Sequence, residues 1–204
     1  MYLIFQQAFY IIHIVNLIDR RTHWFHLKLT EEIRTRRLKL YRAALKGDWA
    51  KAKVIYDEHK DAIGDVITRL GDTALHIAAA ANRIDFAKKL VKRMEAEDLA
   101  KTNRVGCTAL FYAAASGCVE LVKATMEGNK DITMVPQGDK DRTLPIVRAA
   151  SLGHTEVVEF LYRETKNSLK DDDCIELLVK LIETDSYGKH SSLLSLCKLL
   201  FLLI

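Results

Sequence analysis

Histidines, cysteines and one run of aspartates are the residues of this sequence with chemistry to offer. His23 and His26 stand three apart, a spacing that puts two imidazoles on one helix face. They lie among basic residues with no evident third and fourth ligand, so no metal site is expected there. Asp171, Asp172 and Asp173 could gather a cation, but the spacing of a calcium loop is missing. A solvated helix start is the better reading, because carboxylates suit the positive end of a helix dipole. Cys107, Cys118, Cys174 and Cys197 form no CxxC pair and are irregularly spaced. They read as free thiols of a reducing compartment and not as zinc ligands. No G-x-x-x-x-G-K-[ST] or G-x-G-x-x-G cradle is present, nor a G-x-S-x-G elbow or an HExxH helix. The expectation is a protein that is not an enzyme, with no cofactor, no metal and no small-molecule substrate.

The elements that would position any site are organised around Gly71 to Asn82, GDTALHIAAAAN. Thr73 suits a helix N-cap, and Ala74 to Ala81 read as a short helix that can approach another closely. Asn82 tolerates the left-handed conformation that ends a helix. Thr73-Ala74-Leu75 returns 35 residues later as Thr108-Ala109-Leu110. Ala78-Ala79 returns as Ala113-Ala114 and Ala149-Ala150, and Ala43-Ala44 anticipates them. The helix stops keep the same register, at Gly47, Asn82, Gly117 and Gly153. A period of this size means stacked supersecondary units.

Composition agrees. The chain has 204 residues, 49% hydrophobic and 28% charged, with two prolines and nine glycines. That favours a folded helical chain over a loop-rich β protein. The net charge of +4 is no nucleic-acid signature by itself. Its basic residues cluster between Arg20 and Lys39, beside Trp24 and Phe25, without a recognised nucleic-acid module, and no nucleic-acid partner is expected.

Residues 1–18 carry no charge and are borderline in length for a bilayer. They read as a spanning or membrane-associated segment, as a helix packed on the first repeat, or as an unusual start of the coding sequence. A spanning helix followed by this basic cluster would leave the repeats on the cytoplasmic side. Residues 30–184 divide into helix pairs: 30–45 with Asp48–Glu58 as a capping repeat, Ala74–Ala81 with Ile84–Met94, Thr108–Ser116 with Val119–Met126, and Leu144–Leu152 with Thr155–Tyr162. A further helix runs from Asp171 to Ile182. In the fourth unit Leu144 takes the capping position and Pro145 fits the first turn. Residues 185–204 read as the second helix of a fifth repeat or as an altered C-terminus.

These stretches resemble ankyrin repeats, whose signature is G-x-T-P-L-H-x-A-A-x-x-G-H. It stands here as GDTALHIAAAANR, GCTALFYAAASGC and TLPIVRAASLGH. Phe111 replaces the histidine of the second copy, and the third lacks both threonine and histidine. Across residues 38–184 the wording is also similar to the plant ankyrin-repeat membrane proteins of the accelerated-cell-death type. YRAALKGDWAKAK and DDDCIELLVKLIETDSY carry that resemblance. Members of that family continue into a block of membrane-spanning helices that this sequence lacks, which reads as a truncated form or an incomplete gene model.

The resemblance implies an all-α ankyrin-repeat solenoid of stacked helix-turn-helix units with short turn or hairpin connectors, about four to five repeats long. It implies that His76 hydrogen-bonds the turn, a structural role. It also implies a protein-protein interaction module in signalling, with a membrane-tethered plant signalling protein as the alternative. The expected location is cytoplasmic or the cytoplasmic side of a membrane. Partner proteins would meet the turn tips at Arg69, Leu70 and Asp72, at Arg104, Val105 and Cys107, and at Lys140, Asp141 and Thr143. The adjoining helix faces would contribute Ala80, Ala81, Ala115, Ser116, Ser151 and Leu152.

Overall fold

The computed structural model describes residues 30–184, apart from 128, 130 and 135–142. The readings for residues 1–18, His23, His26, Lys140, Asp141 and residues 185–204 therefore lie outside the described residues. Two compact units divide the chain, Met1–Lys39 and Leu40–Ile204. The described part of the first is the opening of helix α1 (30–46), which already includes Thr30. Glu31 pairs there with Arg34 at 3.9 Å, and both side chains are largely exposed.

From Leu40 onward the helices alternate. α2 is Trp49–Glu58, α3 Ala74–Ala80, α4 Ile84–Val91, α5 Ala96–Leu99, α6 Ala109–Ser116, α7 Val119–Met126, α8 Pro145–Ser151, α9 Thr155–Thr165 and α10 Asp171–Glu183. Single 3₁₀ turns stand at Lys60–Ala62 and Asp131–Met134. These turns and α5 fall in connectors that sequence alone left without structure. Helices of seven or eight residues are marginal in isolation, so packing must hold them. α3, α6, α8 and α10 stack as one row, while α4, α7 and α9 stack as a second. Within each repeat the two helices pack antiparallel-fashion across a tight turn, α3 on α4, α6 on α7 and α8 on α9.

The alanine pairs are what let the first row close up. Ala78, Ala79, Ala113, Ala114, Ala149 and Ala150 are all completely buried. Larger side chains fill the space between rows: Leu75, Leu90, Leu110, Leu121, Ile146, Val158 and Leu161. Each such leucine or isoleucine contributes about 1.5–3 kcal/mol on leaving water. In α2 only Ala52 and Tyr56 are buried, and Val54 faces solvent. Trp49 instead packs edge-on against Phe86, with ring centroids 5.5 Å apart.

The helix stops follow the repeated register. Gly47, Asn82, Gly117 and Gly153 have φ of 75°, 55°, 74° and 73°, and Asn82 is the non-glycine residue among them. That turn lets the chain hydrogen-bond back onto the alanine pair. Asp48, Arg83 and His154 donate their backbone N–H to the carbonyls of Ala43, Ala78 and Ala149 at 2.8, 2.8 and 3.0 Å. This is the six-to-one bond of a Schellman ending. In α6 a hydroxyl intervenes instead. Ser116 donates to the Ala113 carbonyl at 2.8 Å and accepts from the Cys118 N–H at 3.3 Å.

After two of the stops the following residue also reaches across to the preceding repeat. Arg83 Nε donates to the Leu45 carbonyl at 2.9 Å, and His154 Nε2 meets the Ala115 carbonyl at 3.0 Å. At the joint between them the same position is Cys118, a poor donor. Cys118→His is expected to supply the missing strong donor toward Ala80 and raise stability by about 0.5–1.5 kcal/mol. Chemical denaturation checks it; an unchanged midpoint would show that the joint does not tolerate the ring.

Candidate interaction face

Two connectors build one edge of the first-helix row. Val66 and Thr73 form an antiparallel bridge, closed by a bond from Ile67 N–H to the Asp72 carbonyl at 2.8 Å. Residues 103–107 close a shorter turn at the corresponding place, with Asn103 N–H donating to the Cys107 carbonyl at 2.9 Å. The two turns join directly, because Arg104 N–H donates to the Leu70 carbonyl at 2.8 Å. Their tips point outward: Leu70 is 60% exposed and Val105 40%, with Arg69 and Arg104 exposed beside them.

Asp72 and Cys107 sit differently from these neighbours. Both are buried. The Asp72 carboxylate accepts from the Thr68 hydroxyl at 2.7 Å and from Asn103 Nδ2 at 2.8 Å. Asn103 in turn accepts on Oδ1 from the N–H groups of Val105 and Cys107 at 3.2 and 3.0 Å. Its Nδ2 also donates to the Tyr112 hydroxyl at 3.0 Å. These side chains therefore shape the turns and are not free to meet a partner. Asn103 was not singled out by its sequence, and an Asx turn two and four residues before Val105 and Cys107 is the local cue for it.

His76 ties the turn to the helix. Its Nδ1 accepts from the Thr73 backbone N–H at 3.2 Å and lies 2.8 Å from the Thr73 hydroxyl. Its Nε2 lies 3.0 Å from the Cys107 carbonyl, in the next repeat. A carbonyl only accepts, so Nε2 carries the proton and the ring is neutral. Burial pushes the imidazole pKa below its ordinary value of 6.5, against the opposing pull of the Cys107 carbonyl and Asp72. The histidine is a cross-repeat strut.

On the helices and their C-caps, Ala80 and Leu152 are exposed, while Ala81, Ala115, Ser116 and Ser151 are half-buried; Thr143, in the connector before α8, is half-buried too. The first-row face also carries residues that reading for turn tips missed. Arg42, Ile77, Tyr112 and Arg148 each precede an alanine pair and so share one register position. Arg148 lies over the Phe111 ring of the preceding repeat, 5.8 Å from its centroid. The alanine pairs themselves were the cue that could have located them.

The second-row face differs in character. A shallow groove of about 480 Å³ runs there between Lys88, Glu120, Lys123, Glu127 and Phe160. Its charges are of both signs, with Lys88 paired to Glu120 at 3.2 Å and Lys123 over the Phe160 ring at 5.2 Å. Among the described residues no group of three or more His, Cys, Asp or Glu side chains could hold a metal ion. None of Cys107, Cys118 and Cys174 is in a disulfide.

Comparison with known proteins agrees with this geometry. The family model for ankyrin repeats in three copies matches residues 40–135 and 101–171. The chain belongs to the ankyrin-repeat family. Ankyrin-bearing relatives include the ankyrin repeat and KH domain-containing protein mask-1 of Caenorhabditis elegans. It is 30% identical over 118 residues, covering 58% of this chain and 4% of that protein. A second match, the probable 26S proteasome regulatory subunit p28 of Saccharomyces cerevisiae, is 28% identical over 103 residues, 50% of this chain and 44% of p28. The chain thus spans a small fraction of the first relative and under half of the other. As an ankyrin-repeat protein it has the stacked helical fold expected from its period.

Proposed function

We propose that this chain is a protein-binding module that engages partner proteins through its first-helix row and turn tips, without enzymatic activity. The observation that carries this reading is the pair of joined turns. Backbone bonds and buried polar side chains hold them rigidly, yet Arg69, Leu70, Arg104 and Val105 project into solvent. A rigid scaffold presenting exposed arginine and aliphatic side chains is what a binding surface needs.

Arg69→Glu with Arg104→Glu tests it. Partner capture from native extract is expected to fall at least about tenfold, because charge reversal opposes electrostatic complementarity. Stability should move by less than about 0.5 kcal/mol, since both side chains are on the surface. Unchanged capture with an unchanged melt would overturn the reading.

The narrower reading is a signalling protein of the plant membrane-tethered type. It rests on the wording of residues 38–184 and on the apolar residues 1–18, which lie outside the described residues. Among the described residues no helix is long and apolar enough to cross a membrane. Alkaline carbonate extraction of the native protein separates the two, with resistance at this chain's own mass favouring the tether.

A further inference from the structure

We propose that the partner segment bound by this face is acidic: an extended peptide in which Asp or Glu alternate with apolar residues. The inference rests on the first-row face being the binding surface. It draws on the charges that this face carries and does not neutralise. Arg42, Lys46, Arg69, Arg104 and Arg148 are all exposed on first helices or turn tips. None of the ion pairs among the described residues involves any of them. Two carboxylates near the first helices and turn tips are already engaged, while α10, at the far end of the row, opens with Asp171, Asp172 and Asp173. Asp72 is buried among Thr68 and Asn103, and Asp48 is held by Lys51 at 2.7 Å. Lys46 contributes only at a distance to keeping the Asp48 carboxyl below its ordinary pKa, the Lys51 hydrogen bonds being the main cause.

The second row is arranged differently. Two of its cations meet acids across repeats, Lys88 with Glu120 and Arg93 with Asp57 at 2.8 Å. Five exposed cations that enter no ion pair among the described residues give the stretch from α1 to α8 a locally positive field where a partner would arrive. Such a field speeds encounter with anions and disfavours basic partners.

The apolar side chains between the cations decide which anion. Leu45, Leu70, Val105 and Leu152 are each 40% or more exposed on the same row. A nucleic-acid backbone or lipid headgroup would leave them uncovered. A peptide with aliphatic or aromatic residues between its carboxylates covers them. Arg148 held over Phe111, and the 35-residue spacing of Arg69 and Arg104, set charge and apolar sites in alternation along the stack.

Selection of a random 12-residue peptide library on the full chain tests this, followed by binding of the selected peptides to Arg69→Glu/Arg104→Glu/Arg148→Glu. Enriched peptides should be acidic with interspersed apolar residues. The triple variant should weaken them roughly thirtyfold or more, taking a few-fold per exposed cation. Affinity should also fall as salt is raised. Neutral or basic peptides that the triple variant still weakens would overturn the acidic partner and leave the face as the binding surface. Peptides that bind the triple variant undiminished would overturn both. A 20-nucleotide single-stranded RNA, or phosphatidylserine vesicles, binding through the three arginines while no peptide is enriched would also overturn the proposal. A melt of the triple variant matching the parent confirms that lost binding is not lost folding.

Discussion

His76→Ala is expected to destabilise the folded chain by about 3 kcal/mol. The imidazole is almost wholly buried and meets Thr73 on one side and the Cys107 carbonyl on the other. Truncation leaves a buried N–H and a buried carbonyl without this partner and opens a void between repeats. For a domain of this size that is roughly 6–12 °C in Tm. The effect is also pH-dependent with a definite sign. Burial lowers the folded-state pKa of His76 below 6.5, so below that pH the unfolded chain binds more protons at this site than the folded one. Its contribution is complete above about pH 6.5 and is lost as the pH falls through the folded-state value. The stability gap between parent and His76→Ala should therefore be wider at pH 7.5 than at pH 5.5 in urea titrations. A gap of equal size at both would show that the ring is not held neutral. Phe111 occupies the same register in the next repeat, so the strut is specific to the joint between α3 and α6.

Gly117→Ala is expected to cost about 2–3 kcal/mol, from two sources. Gly117 has φ of 74°, a conformation that costs an L-residue about 1–2 kcal/mol. A Cβ there would also lie 2.6 Å from His154 Nδ1, so the ring must move and its bond to the Ala115 carbonyl at 3.0 Å must stretch or break. Exposed Gly153, with φ of 73°, serves as the comparison. Gly153→Ala should show the backbone cost of about 1 kcal/mol. A double-mutant cycle separates the terms: in a His154→Ala background the Gly117→Ala penalty should drop toward the Gly153→Ala value. An undiminished penalty in that background would place the whole effect in the backbone.

Much of the fold was legible because its requirements fall on single residue types. A left-handed helix stop admits Gly or Asn, and those residues stand at Gly47, Asn82, Gly117 and Gly153. Close helix approach admits alanine, and the completely buried pairs are alanine. The helices of the second, third and fourth repeats accordingly fall within a few residues of their expected limits. Less legible were elements without such a demand. The 3₁₀ turns at Lys60–Ala62 and Asp131–Met134 and the single turn α5 have ordinary compositions that several local conformations accommodate. In α10, Ile175 and Ile182 are as apolar as Leu177 and Leu181, yet only the leucines are buried. Position relative to α8 decides which of two apolar stripes is covered.

The candidate face divides in the same way. Arg69, Leu70, Arg104 and Val105 are exposed tips, as turn chemistry alone predicts. Asp72 and Cys107 have the same turn context but are buried: Thr68 and Asn103 hold the Asp72 carboxylate, and His76 holds the Cys107 backbone carbonyl. Sequence by itself determined the repeat, the family and the all-helical stack. Those follow from a periodic demand for small residues and positive φ that each unit states locally. Tertiary structure alone decided which polar residues hold the joints and which are offered to solvent. Hydrogen-bond partners 31 and 39 residues apart, as in His76 with Cys107 and His154 with Ala115, meet only once the repeats are stacked.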